Sequence, residues 1–179
     1  MNSNTHFIAM IGLAIGALFG MSGLVFTSPL VQTALFVFSG VGLSLGLLLL
    51  SRMFLKQGEE FTGMGFLVFG IGEAVLTMNS AAEEASFDSA FAGCMLFYVL
   101  GHILIFIPRQ FPTWMRITGL LSATFFLSAA VRYYAGFGID TADPLPGIGY
   151  GFLVITIIGW ITYLARERRE VTKIQASNA

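Results

Sequence analysis

Charge is scarce in this sequence. Only 11% of its 179 residues are Asp, Glu, Lys or Arg, against about 25% in soluble domains. That scarcity, with 56% hydrophobic residues and a mean hydropathy of +0.82, excludes an ordinary water-soluble domain. Cysteine is nearly absent too: Cys94 stands alone, which excludes an internal disulfide and any cysteine-based metal cluster. No HExxH, CxxC, Walker loop or glycine-rich phosphate cradle occurs in the sequence, so the common hydrolytic, redox and nucleotide-binding chemistries lack their starting motifs. The opening "MNSNTH" carries no Lys or Arg, and no A-x-A site follows the first apolar run. That run is therefore expected to stay in the protein and not to act as a cleavable signal peptide.

Long apolar runs are what the sequence has in plenty. About 20 apolar residues at 1.5 Å rise cross the hydrocarbon layer of a bilayer. Six runs meet that length, at 7–26, 30–53, 61–78, 89–107, 113–134 and 145–165. The expected fold is an all-α membrane protein with six transmembrane helices in a single integral-membrane domain over 1–179, and 166–179 as a basic tail. With an even number of spans both termini share a side. Of the nine Lys and Arg, all but Arg132 then fall on that side: Arg52, Lys56, Arg109, Arg116, Arg166, Arg168, Arg169 and Lys173. The positive-inside rule makes it the cytoplasmic one. A multi-pass protein of the cell inner membrane with both termini cytoplasmic is expected. Glu83, Glu84, Asp88, Asp140 and Asp143 then face outward.

The spans also resemble one another. "IGLAIGALFG" around Gly12, "MGFLVFGIGE" around Gly65 and "TGLLSATFFL" around Gly119 begin alike, 53 and 54 residues apart. "LGLLLLSR" at Gly46, "LGHILIFIPR" at Gly101 and "IGWITYLAR" at Gly159 form a second series, each with an Arg six to eight residues on. The simplest reading is three helical hairpins related by a pseudo-threefold axis along the membrane normal, a parallel repeat. Gly12, Gly16 and Gly20 form one small-xxx-small ladder, and Gly42 and Gly46 another. Such ladders let helix backbones approach closely within a chain or, on the first helix, across an oligomer seam. The tail "ARERREVTKIQASNA" is expected to continue the last helix into the cytoplasm, as a topological anchor that also meets anionic lipid or as a surface for another protein. It is too short and too poor in aromatics to imply nucleic acid.

Few polar groups lie inside the spans. Glu73 sits about 9 Å below the outer end of its helix by helix rise, where a carboxylate is costly and marks a functional group with a partner to name. Arg132, the basic residue expected outside, is the natural partner, so a Glu73–Arg132 ion pair between two hairpins is expected; the alternative is a proton or cation pathway through Glu73. In the acidic loop, Asp88 is placed to cap the fourth helix. His102, in "VLGHILIF", follows a glycine that would let a flat macrocycle approach, so it is either a packing histidine or a haem or chlorophyll ligand; no cofactor and no metal site is otherwise implied. Ser39 and His102 suit a serine–histidine dyad in residue type, but their expected depths differ. Gly147, Gly149 and Gly151 after "DPLP" read as a tightly packed helix start.

"GEAVL" followed by "FAGCMLFYVLGHILI" resembles the acidic and Gly-His helices of the lysoplasmalogenase-like YhhN family. The resemblance covers 72–105. That family has more spans and an aspartate at the place of Glu73, and the resemblance implies a membrane-embedded lipid hydrolase using Glu73 and His102. The six-span layout is also similar to the small stress-associated HdeD-type membrane proteins, though without a shared motif. The residues themselves favour a non-catalytic structural or accessory subunit of a larger membrane assembly. Its partners would be the lipid bilayer and either other membrane proteins or further copies of the chain. A small homo-oligomeric cation or proton channel or transporter using Glu73 is the alternative, and the lipid hydrolase the third reading.

Overall fold

The computed structural model describes residues 3–79, 84–137 and 144–177. Among them six helices are long and apolar enough to cross a membrane, and no strand occurs. They are α1 (Ser3–Gly23), α2 (Pro29–Lys56), α3 (Glu60–Asn79), α4 (Glu84–Phe106), α5 (Thr113–Arg132) and α6 (Pro144–Ser177). A π-helical turn, Tyr133–Phe137, extends α5. The chain is thus an all-helical, multi-pass membrane protein.

The helix ends follow local chemistry. Pro29 opens α2 in the first turn, where its missing N–H costs nothing. At the far end "KQGEE" closes the helix: Gly58 takes φ 79, its N–H reaches the Leu55 carbonyl at 3.2 Å, and the Glu59 N–H reaches the Phe54 carbonyl at 2.9 Å. Those two bonds make a Schellman cap, whose left-handed residue is best supplied by glycine. Arg116 Nε donates to the Phe106 carbonyl at 3.0 Å and so satisfies the end of α4 from the first turn of α5. Helix α1 begins earlier and ends earlier than its apolar run. Helix α6 continues beyond its apolar run to Ser177, because "RERREVTKIQ" is rich in strong helix formers. Helix α4 begins at Glu84, so Asp88 lies a turn inside it and is not its cap, which corrects the expectation from sequence. Glu83, Asp140 and Asp143 lie outside the described residues.

Each helix packs on the next, and α6 returns to pack on α1. The bundle is a closed ring in chain order. Helices α3 and α5 are not neighbours, since α4 stands between them. The ring closes where the N-terminal turn of α1 meets the last turns of the α6 span. There His6 Nε2 lies 3.4 Å from Glu167 Oε2, and Arg168 stacks over the Phe7 ring at 4.9 Å. Glu167 also accepts from the Tyr163 hydroxyl at 2.9 Å and from Gln57 Nε2 at 3.5 Å, which ties α2 to the same seam.

The five ladder glycines serve the α1–α2 contact. A Cβ at Gly12 would lie 2.6 Å from the Gly42 carbonyl oxygen and 3.0 Å from the Gly46 nitrogen. One at Gly16 would lie 2.7 Å from Leu43 Cβ, and one at Gly20 would lie 2.9 Å from Ser39 Oγ. Helices α3 and α4 cross in the same way, where a Cβ at Gly65 would lie 2.9 Å from the Gly101 carbonyl oxygen. In the α5–α6 hairpin the corresponding glycines do not meet: Gly119 faces the Phe106 ring and Gly159 faces Met115. Of the three glycines that open α6, only Gly149 is close-packed, with Phe126 at 2.7 Å from its would-be Cβ; Gly147 and Gly151 have nothing within 4 Å.

The ring's interior is filled. Phe54, Phe66, Phe69, Tyr98, Phe106, Phe126 and Trp160 are the largest fully buried side chains. The filling is uneven along the axis. Buried residues of α2 run from Ser39 to Phe54 and those of α3 from Thr62 to Glu73, toward the end that carries the α1–α6 seam. Residues 29–38 of α2 and 74–79 of α3 are partly or fully exposed. Glu73 is the last buried residue of α3, while on α4 and α5 burial continues through Ala92, Ala129 and Ala130.

Candidate functional site

Helix α3 turns Glu73 inward on the face that also carries Phe66, Phe69, Gly70 and Gly72, all buried. The carboxyl is 6% exposed. Its partner comes from α4: the Tyr98 hydroxyl donates to Glu73 Oε2. Gly72 makes this meeting possible, because a Cβ there would press on Phe97 Cβ at 2.6 Å and on the Tyr98 ring at 3.3 Å. The phenol ring is held edge-on by Phe69 at 4.6 Å, Phe126 at 5.3 Å and Tyr150 at 6.4 Å between centroids. Such edge-to-face contacts fix the ring plane and so aim the hydroxyl.

Arg132 does not make the expected ion pair with Glu73. It lies exposed in the last turn of α5, and α5 is separated from α3 by α4 in the ring. Glu167 instead has a histidine, His6, beside it at the opposite end of the core. The carboxyl of Glu73 thus meets a neutral donor where an arginine was expected. Burying a carboxylate without a counter-charge is costly.

One turn along α4 from Tyr98, His102 is 0% exposed. Its Nδ1 lies 2.7 Å from the Tyr98 carbonyl. A carbonyl only accepts, so Nδ1 carries the hydrogen, and the neutral ring presents a lone pair at Nε2. That tautomer is the one a metal-ligating histidine uses. The surroundings do not suit a macrocycle, however: Phe69, Phe106, Phe126 and Trp160 stand at 4.9, 5.9, 6.4 and 6.5 Å from the imidazole centroid. A haem or chlorophyll would have to displace this cluster, and the glycine before the histidine is taken by helix packing, with Phe69 Cβ 2.8 Å from a Cβ at Gly101. Among the described residues no group of three or more His, Cys, Asp or Glu gathers to hold a metal ion.

The serine–histidine pair is not assembled. Ser39 Oγ donates to the Gly16 carbonyl at 2.7 Å, and its helix is not adjacent to that of His102. Tyr98 is the functional side chain that sequence reasoning passed over. A signal for it existed: it lies four residues before His102 and four after Cys94, on one helical face, and it is the residue of that face able to donate to a carboxylate. The chain matches no family model, no curated protein and no solved structure at a significant level.

Proposed function

We propose that this membrane protein is a proton-linked transporter in which Glu73 takes up and releases the proton. The observation that carries the reading is a buried carboxyl, the last buried residue of α3, whose partner is a phenol. A bound metal cation asks for several oxygen ligands, six to eight for calcium, and Glu73 with Tyr98 supplies far fewer. A proton needs only one. Access to Glu73 under this reading is from the α3 C-terminal end, where residues 74–79 are no longer buried. Under this reading the ring of three consecutive hairpins is the repeat unit, the termini lie in the cytoplasm, and the membrane is the inner one. The test is proton flux into vesicles containing the purified protein, read by an internal pH dye under an imposed potential. Glu73→Gln keeps the shape and the Tyr98 bond but cannot release a proton, and flux should fall at least tenfold. Flux that survives this change, or a wild type without flux, overturns the reading.

An accessory subunit of a larger membrane assembly is the second reading, favoured by one observation. Helix α6 continues past its apolar part to Ser177, carrying Arg166, Arg168, Arg169 and Lys173 toward whatever lies beside the membrane. The lipid-hydrolase reading is less well served. His102 is sealed among aromatic rings, with Nδ1 already engaged, so it has no room to act on a substrate beside Glu73.

A further inference from the structure

Two ring nitrogens in the centre of the bundle have no hydrogen-bond partner among the described residues: His102 Nε2 and Trp160 Nε1. Both side chains are 0% exposed. Natural interiors pair nearly all such atoms, through protein or through ordered water. Here the two have opposite polarity. The His102 tautomer fixed by the Tyr98 carbonyl leaves an acceptor at Nε2, and an indole N–H is only ever a donor. They come from α4 and α6, which are not neighbours in the ring, and their ring centroids are 6.5 Å apart at a 35° tilt. The nitrogens make no direct bond to each other.

We infer that His102 and Trp160 form an internal binding site for one water molecule, which accepts from the indole N–H and donates to the imidazole Nε2. The chemistry allows little else. The occupant must carry both a donor and an acceptor, and it must be small, because Phe66 stands 5.0 Å and Phe106 6.2 Å from the Trp160 centroid. It must also be neutral, since aromatic rings supply no counter-charge on that side. With the ring centroids 6.5 Å apart, a water at ordinary hydrogen-bond distance, about 2.9 Å, from each nitrogen would satisfy both. The bridge ties α4 to α6 across the middle of the ring and fixes the indole plane, against which Phe106 stacks at 10°. This site stands on the two nitrogens alone and does not depend on what Glu73 does.

The experiment is water-edited solid-state NMR of the full chain in bilayers with 15N-labelled His and Trp. Trp114, 46% exposed at the start of α5, is the internal control. Transfer from water to the Trp160 indole N–H as strong as that to Trp114 is expected, and it should drop severalfold in His102→Phe, which removes the acceptor. Transfer at Trp114 without transfer at Trp160 in the wild type overturns the site. So does transfer at Trp160 that His102→Phe leaves unchanged, because the water would then not be shared. If His102→Phe fails to assemble, the 15N shift of His102 Nε2 in the wild type decides. A hydrogen-bonded acceptor shift upholds the bridge, and the shift of a bare lone pair overturns it.

Discussion

Tyr98→Phe removes one hydroxyl from the centre of the proposed site and almost nothing else. The ring that remains still meets Phe69 at 4.6 Å and Phe126 at 5.3 Å, so no cavity of consequence forms. What changes is that the Glu73 carboxyl, 6% exposed, loses its donor. Leaving a buried polar group unpaired costs about 1–3 kcal/mol, more than the roughly 1 kcal/mol net worth of an ordinary hydrogen bond. Glu73→Leu has the mirror effect, stranding the Tyr98 hydroxyl. The double variant removes both partners and leaves an apolar contact, which can be nearly neutral. A double-mutant cycle should therefore give a coupling of about 1–2 kcal/mol, with the pair less destabilised than the two single changes combined. Reversible unfolding in mixed micelles or bicelles measures the stabilities, and the vesicle assay run in parallel should show slower flux for Tyr98→Phe. Strict additivity would refute the reasoning, because it would mean that the two groups do not share a bond in the folded protein.

Gly12→Ala should destabilise the fold by about 1–3 kcal/mol, since its Cβ would meet the backbone of Gly42 and Gly46 at 2.6 and 3.0 Å and backbone cannot step aside as a side chain can. Gly151→Ala, with nothing within 4 Å, should be neutral in the same unfolding measurement; equal effects would show that α1 and α2 do not cross where the structure has them. Replacing Glu167 by Ala removes the His6 contact at 3.4 Å and the Tyr163 bond at 2.9 Å. Because Glu167 is partly exposed the loss should stay near 1 kcal/mol and appear in hydrogen exchange as faster opening of α1 and the end of α6. Native mass spectrometry of the protein extracted gently from its membrane tests the subunit reading: other polypeptides in the complex support it, and clean multiples of 19.4 kDa remove it.

Much of the scaffold was legible because its signals are local. Runs of apolar residues set the six helices, and a ladder such as Gly12, Gly16 and Gly20 announces a close crossing. What the sequence left open was which helix lies beside which. The Glu73–Arg132 pair was drawn from charge complementarity and depth, and both were reasonable. Depth says nothing about the angular position of a helix in a ring, and α4 stands between the two. Tyr98 was missed for a related reason: a tyrosine in an apolar run is read as packing until a carboxyl is placed next to it. His102 was read as a packing histidine or a ligand, and its surroundings are those of packing, with one nitrogen left over. The continuation of α6 into the tail was legible as well, because the charged segment after the apolar run is rich in strong helix formers and α6 runs on to Ser177.

Within the proposed function, the distribution of burial favours a transporter over a channel. A channel for hydrated ions needs a continuous wet path, lined by polar groups or by constrictions that open by rewetting. Between Glu73 and the His6–Glu167 seam the ring is filled by Phe69, Phe66, Phe106, Trp160, Phe54 and Phe111, stacked or edge-on to one another at 5.0 to 6.3 Å along that column. Rings in such contact move only together, because each fills the space its neighbour would need. The column therefore leaves no continuous path for a hydrated ion from Glu73 toward the seam in the arrangement seen here. To cross, α3 and α6 must shift relative to each other, so that Phe66 and Phe69 part from Trp160. Coupling between proton binding and helix movement is the signature of alternating access, not of an open pore. Under the proposed function, protonation of the buried Glu73 carboxyl is the event that would have to be coupled to such a shift.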